Sequence, residues 1–109
     1  MHRDEIPPGT LYMLILRTLA RGGEMHGYEI VSFIKRVSDG VLEVEEGSLY
    51  PALQRMLVKG WVTAQWGTTD GNRRARYYRL TAAGRKQLEA EVSQFERVMA
   101  AIARVIETA

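Results

Sequence analysis

The segment EEGSLYPALQRMLVKGW, residues 45–61, sets Ser48, Pro51, Gln54 and Arg55 opposite Leu49, Leu53, Met56 and Leu57, with Lys59 near the last turn and Tyr50 on the flank. The apolar members recur at three- and four-residue steps, which puts them on one face of a helix. Hydroxyl, amide and guanidinium groups on the other face of an anchored rod are what reading base edges in a groove requires. Further on, Arg73, Arg74 and Arg76 follow the turn signal Asp70-Gly71-Asn72, where they can reach phosphates or a narrow minor groove. The nine residues that could contact DNA are therefore Ser48, Tyr50, Pro51, Gln54, Arg55, Lys59, Arg73, Arg74 and Arg76.

Catalytic chemistry finds little support beside this. Ser48 has no nearby histidine to activate it as a nucleophile. His2 and His26 form no ligand cluster with a carboxylate at metal spacing, and His26 fits the start of a helix. Glu45 and Glu46 could pass for a carboxylate pair, but at a helix N-terminus they complement the macrodipole. No glycine-rich phosphate loop is present. The expectation is a protein that is not an enzyme, with no metal and no cofactor.

The chain of 109 residues allows one small domain with a modest core. It is 46% hydrophobic and 26% charged, an ordinary balance for a globular chain. Cysteine is absent, which excludes disulfides and thiolate metal sites and fits an intracellular setting. The sequence has no apolar run near the ~18 residues of a membrane span, and MHRDEIPPG lacks a signal-peptide core. A cytoplasmic protein without membrane association is expected. The net charge of +2 is unevenly spread. Residues 1–46 hold five Lys/Arg against eight Asp/Glu, residues 47–80 hold six against the single Asp70, and residues 81–109 hold four of each. Basic charge concentrates where the polar-faced helix and the arginine turn lie, as a phosphate-binding face requires.

The elements that position these groups can be placed in order. Ile6-Pro7-Pro8-Gly9 is an extended lead-in, and Thr10 suits an N-cap. A first helix over Leu11 to Arg21 is apolar on more than one side, so it should be covered both by its own domain and by something else. Gly22-Gly23 ends it. A second helix over Met25 to Ser38 turns Ile30, Val31, Ile34 and Val37 inward, and Asp39-Gly40 closes it. Val41 to Val44 is either a minimal strand or a linker. The third helix runs over 46–59, starting within about four residues of Pro51, which cannot continue a helix toward its N-terminus; Gly60 stops it. Trp61 to Trp66 alternates as a strand, 67–74 turns, and Arg76 to Leu80 resumes the strand with Tyr78 and Leu80 on one face and Tyr77 on the other. Trp61 and Trp66 read as packing residues, Trp66 standing near enough to the turn to touch a partner. Thr81 caps a last helix to about Glu107. The fold class is mainly α with a small β-hairpin: a winged helix-turn-helix over residues 1–80, followed by a long C-terminal dimerisation helix over 81–109.

In that last helix Leu88, Val92, Phe95, Met99, Ile102 and Ile106 alternate in steps of four and three, an a/d heptad seam that Val98 and Val105 widen. About 25 residues of helix reach ~38 Å, more than a small winged helix can cover, so the far half should bury its seam against a second copy of the chain. Two copies about a two-fold axis also suit a palindromic site, since one winged helix buries little surface. Tyr12, Leu16, Phe95, Met99 and Ile102 offer more apolar and pliable surface than two packed helices need. That surface fits either an apolar or aromatic small-molecule effector, at Tyr12, Leu16, Phe95 and Met99, or a fully packed dimer core.

HGYEI (26–30), EGSLYPAL (46–53), the KGW-V step (59–62) and RRARYYRLTAAG (73–84) together make the chain resemble the PadR-like family of bacterial transcriptional regulators, and the resemblance spans nearly its whole length. The single short C-terminal helix is similar to that of the family's smaller subgroup. The resemblance implies a homodimeric winged-helix repressor, often one released from its operator by a small molecule. It implies Ser48, Tyr50, Pro51 and Gln54 at the DNA, and Arg73, Arg74 and Arg76 on its backbone. Family ligand sites lie near the dimer interface between the first and last helices and vary among members, so no effector motif carries over.

The competing reading is a winged-helix protein–protein interaction module without operator binding. The arginine cluster disfavours it, and salt dependence separates the two.

Overall fold

The computed structural model describes residues 6, 7 and 9–108. Seven elements follow one another: α1 (Leu11–Gly22), β1 (Met25–His26), α2 (Gly27–Val37), α3 (Glu46–Val58), β2 (Val62–Thr68), β3 (Arg74–Leu80) and α4 (Ala82–Glu107). The antiparallel sheet has the order β1-β3-β2. His2, Pro8 of the lead-in and the rest of residues 1–5 lie outside the described residues.

α1 is the central helix. Ile15, Leu16, Thr18 and Leu19 are buried in it, and α2, α4 and β3 pack around it. The excess of apolar residues is thus largely absorbed within the chain, and Leu11 to Leu14 and Ala20 stay half-buried. Thr10 does not cap with its side chain. Its hydroxyl donates instead to the Pro7 carbonyl at 2.7 Å, because the lead-in folds back over it.

The second helix starts later than apolar spacing predicts. Met25 and His26 are extended and pair with Tyr78 and Tyr77 of β3. His26 is the N-cap of α2: its Nδ1 accepts from the Glu29 amide at 3.4 Å, and Glu29 Oε1 accepts from the His26 amide at 3.1 Å. This is a capping box with histidine in the place usually held by serine or threonine. Ile30 and Ile34 are buried, but Val37 is exposed rather than inward, at the C-terminal end of the helix. Asp39 adopts a left-handed φ of 55°. The Gly40 amide then donates to Lys35 O and the Asp39 amide to Arg36 O, which ends the helix in a Schellman arrangement.

Residues 41–45 form a connector with a single bridge residue, Leu42, and Val44 is buried in the core. α3 begins at Glu46, where the sequence places it, five residues before Pro51. Proline there leaves the carbonyl of exposed Gly47 without a helical amide donor, and water can take its place. Gly60, with φ 77°, and the Trp61 amide donating to Met56 O stop α3 where the sequence predicts. β2 and β3 are each seven residues long, extending the expected hairpin by two residues on either side of its turn.

The Thr81 hydroxyl caps α4 by accepting from the Gly84 amide at 3.0 Å, and it donates to Gly60 O at 2.7 Å. Gly84 lies so close to the β2 start that a Cβ there would stand 2.1 Å from the Trp61 carbonyl oxygen. Leu88 joins Ile15, Leu49, Leu53, Met56, Val62 and Tyr78 in the core. α4 therefore serves the winged domain's own core for two turns before it leaves it. Among the described residues no helix is long and apolar enough to cross a membrane.

Candidate nucleic-acid interface

α3 buries Leu49, Ala52, Leu53 and Met56 and turns Gly47, Pro51, Gln54 and Val58 outward. At 3.6 residues per turn these four fall on one line along the helix. The remaining polar residues sit on its two flanks. Arg55 Nε donates to the Tyr12 hydroxyl at 2.5 Å, with its guanidinium 5.8 Å from that ring. The Lys59 ammonium lies 5.2 Å from the Trp61 ring centre. Tyr12 and Trp61 meet edge to face at 5.7 Å, so α1 and the start of β2 hold both cations on one flank. Ser48 is exposed on the same flank. Tyr50 occupies the other flank, over Gly27, where a Cβ would come 2.6 Å from its hydroxyl. The single outer face read from the sequence is thus a central line with two separate flanks, and Arg55 and Lys59 lie away from the flank that Tyr50 forms.

The hairpin overhangs on the Tyr50 side. Its register pairs Val62 with Leu80, Ala64 with Tyr78, Trp66 with Arg76 and Thr68 with Arg74. Side chains alternate along a strand, so all of these share the core-facing side of the sheet. Only the pairs up to Ala64 and Tyr78 have core beneath them. Beyond that point Trp66 is 58% exposed, and the Arg74 guanidinium lies 4.4 Å from its ring centre. Trp66 is accordingly not the packing residue its strand position suggests, because the hairpin outruns the domain. Trp61, at the other end of β2, does pack.

A cleft of about 870 Å³ opens between the overhanging hairpin, the start of α2 and Tyr50. Arg73, Arg74, Arg76, Trp66 and Tyr50 line it, with Glu29 and Asp70 as its acidic members. His26 supports the wall, edge-on to Tyr77 at 5.3 Å. Burial raises the Tyr78 phenol above its ordinary pKa, while neighbouring Arg76 lowers it. The Tyr77 phenol is raised first by desolvation and then by Glu29, Asp70 and Glu24. Both rings therefore stay neutral and can donate hydrogen bonds at physiological pH. On the opposite face of the sheet, Glu24 accepts from Arg79 at 3.5 Å and from Gln65 at 3.4 Å, which directs Arg79 away from the cleft.

The seam residues of α4 divide into two groups. Leu88 is buried in the core and Val92 packs against it, so Leu88 is not available to a second chain. Phe95, Met99 and Ile102 are 37–44% exposed, and Ile106 is 76% exposed. Of the four residues assigned to an effector, Phe95 and Met99 stand on this open stripe. Tyr12 is turned toward Arg55 and Trp61, and Leu16 is sealed in the core with no exposed surface. The structure does not bring Leu16 to any surface a ligand could reach. No group of three or more potential metal-binding side chains occurs among the described residues.

The sequence sets His26 at a helix start and Trp66 near the turn, but it does not show that both line one cleft, nor the form of the His26 cap. Each feature carried a signal. Seven-residue strands of about 3.3 Å per residue outreach a core of this size, and His26 stands three residues before Glu29, the spacing of a capping box.

Three helices closed by a hairpin, with a polar-faced third helix beside an arginine-bearing wing, define the winged helix-turn-helix class. The model of the family "Transcriptional regulator PadR-like family" matches residues 15–90. The chain belongs to the PadR-like family of transcriptional regulators. An uncharacterised protein of Lysinibacillus sphaericus is 30% identical over 98 residues, 90% of this chain and 89% of that protein. A transcriptional regulator from Clostridium thermocellum has a similar structure, with a TM-score of 0.82 and 27% identity over 91% of this chain and 95% of its own. The PadR protein of Bacillus subtilis, solved in complex with operator DNA, has a TM-score of 0.66 and 26% identity over 76% of this chain and 47% of its own.

Proposed function

We propose that this regulator is a homodimeric repressor that sits on a two-fold-symmetric operator, with α3 of each protomer in the major groove and each wing on the neighbouring backbone. One observation carries the reading: the outward line of α3 and the arginine cleft of the wing adjoin through Tyr50. Gln54 and Ser48 supply hydrogen bonds to base edges, Pro51 a close apolar approach, and Arg73, Arg74 and Arg76 the phosphate contacts. Arg55 and Lys59, held on the far flank, suit phosphates across the groove. The solved complex of Bacillus subtilis PadR with operator DNA supports this use of the fold.

The open apolar stripe of α4, continued by exposed Val105, supports pairing with a second copy. Two such chains place their α3 helices on half-sites one turn, about 34–36 Å, apart. Selecting duplexes from a random pool tests the reading: recovered sites should be inverted repeats at that spacing. Recovery of no enriched sequence contradicts it.

The effector is an apolar or aromatic small molecule seated at Phe95, Met99 and Ile102, where flexible Met99 can adapt to it. A ligand that fits only one spacing of the two winged domains shifts the dimer by its difference in affinity for the two states, commonly about 1–3 kcal/mol. Reciprocity requires operator DNA to weaken ligand binding by the same factor. Titrating aromatic ligands into free protein and into the operator complex checks both halves, and equal affinities contradict regulation through this site.

A further inference from the structure

The wing cleft contains more aromatic surface than phosphate binding alone uses. Trp66, 58% exposed, and Tyr50 of α3, 48% exposed and seated on the bare backbone of Gly27, both line it. Arg74 stacks at 4.4 Å on the Trp66 ring, a partner that offers no negative charge. Stacking fixes the guanidinium plane while leaving its N–H donors unspent. Three arginines line the cleft against Glu29 and Asp70, and Glu29 is occupied in the cap of α2. Apolar ring faces beside guanidinium groups match a ligand that joins sugar rings through phosphates.

We propose that this cleft is a clamp for one sugar–phosphate segment of DNA: Trp66 and Tyr50 pack against deoxyribose, and Arg74 and Arg76 hold the flanking phosphates. Trp66 is the positioning residue for Arg74. The clamp rests on the DNA-binding reading above and adds a site that neither the recognition helix nor the wing's charge alone assigns. Its volume of about 870 Å³ accommodates a segment of that size. It reads no sequence, because every step of the backbone presents the same groups.

Binding of a selected duplex and a random duplex is measured across a salt series for wild type, Trp66→Ala, Trp66→Phe, Arg74→Ala and the double variant Trp66→Ala/Arg74→Ala. Trp66→Ala should weaken both duplexes by roughly two- to thirtyfold. It should also flatten the salt dependence toward that of Arg74→Ala, although it removes no charge. Trp66→Phe, which keeps a ring under the guanidinium, should recover most of the affinity. The double variant should be impaired by less than the sum of the two single effects, since both remove one unit. Hydroxyl-radical footprints, which report exposed deoxyribose, should show weaker protection beside each half-site in Trp66→Ala. Additive effects with an unchanged salt slope overturn the clamp while leaving DNA binding intact. Wild-type protein that shows no salt-dependent DNA binding overturns both readings. Saturable quenching of tryptophan fluorescence by deoxyadenosine monophosphate alone, at concentrations below those needed for duplex and absent in Trp66→Phe, which retains only Trp61, overturns the clamp in favour of a free-nucleotide site.

Discussion

Gln54 stands in the middle of the outward line of α3, between Pro51 and Val58, with Leu53 locked in the core behind it. An amide there can pair bidentately with adenine. Gln54→Ala should cost roughly 1–3 kcal/mol on the selected duplex and little on random DNA; equal weakening on both would demote it to a backbone contact. Two glycines give a contrast at the same scale. A Cβ at Gly84 meets a backbone oxygen, 2.1 Å away, that no rotamer change can move. Gly84→Ala should therefore destabilise the fold by about 1–3 kcal/mol, more than the ~1 kcal/mol gained in helix propensity. A Cβ at Gly27 meets the end of exposed Tyr50, 2.6 Å away, which can swing aside. Gly27→Ala should spare stability and weaken DNA binding. Urea unfolding and a binding titration of the two variants separate these outcomes.

Among the elements, the wing is the one whose role can be tested without disturbing the core. Arg73→Ala with Arg74→Ala should weaken selected and random DNA alike and make the salt slope shallower by about one unit for each phosphate no longer neutralised. An unchanged slope would show that the wing does not touch the backbone. The hairpin also shows where sequence patterning stops being informative. Alternation put Val62 and Trp66 on one side of the first strand and Tyr78 and Leu80 on one side of the second; Val62, Tyr78 and Leu80 are buried, whereas Trp66 is exposed. Period two reports the side of a sheet but not how far the core extends beneath it. Helix boundaries were legible where glycine or threonine chemistry set them, at Gly60 and Thr81. They were not at Met25–His26, where pairing with β3 overrode an apolar spacing that reads equally well as helix. The outward side of α3 was legible from spacing. Its division into two flanks was not, because Tyr12 and Trp61, which draw Arg55 and Lys59 aside, come from distant parts of the chain.

At the scale of the whole molecule, α4 carries the account. Its first two turns belong to the domain and its last turns project away, leaving an apolar stripe from Phe95 to Ile106 open on an elongated body of 58 × 36 × 22 Å. In the proposed dimer Phe95→Glu would place one charge from each protomer in a seam that pairing closes to water, and unpaired buried charge is strongly destabilising. Sedimentation should find the variant monomeric, with the winged domain still folded by circular dichroism, since Phe95 lies outside the core cluster. Operator affinity should collapse although every DNA-facing residue is intact. A Phe95→Glu dimer of wild-type affinity would rule out this seam.

The central claim, that two copies grip one inverted repeat through recognition helices and basic wings, is tested most directly by titrating a selected duplex with stoichiometry resolved across a salt series. Two chains should bind each duplex, with a log affinity that falls linearly and steeply with log salt, as released counterions require. One chain per duplex, or an affinity that salt leaves unchanged, would contradict it.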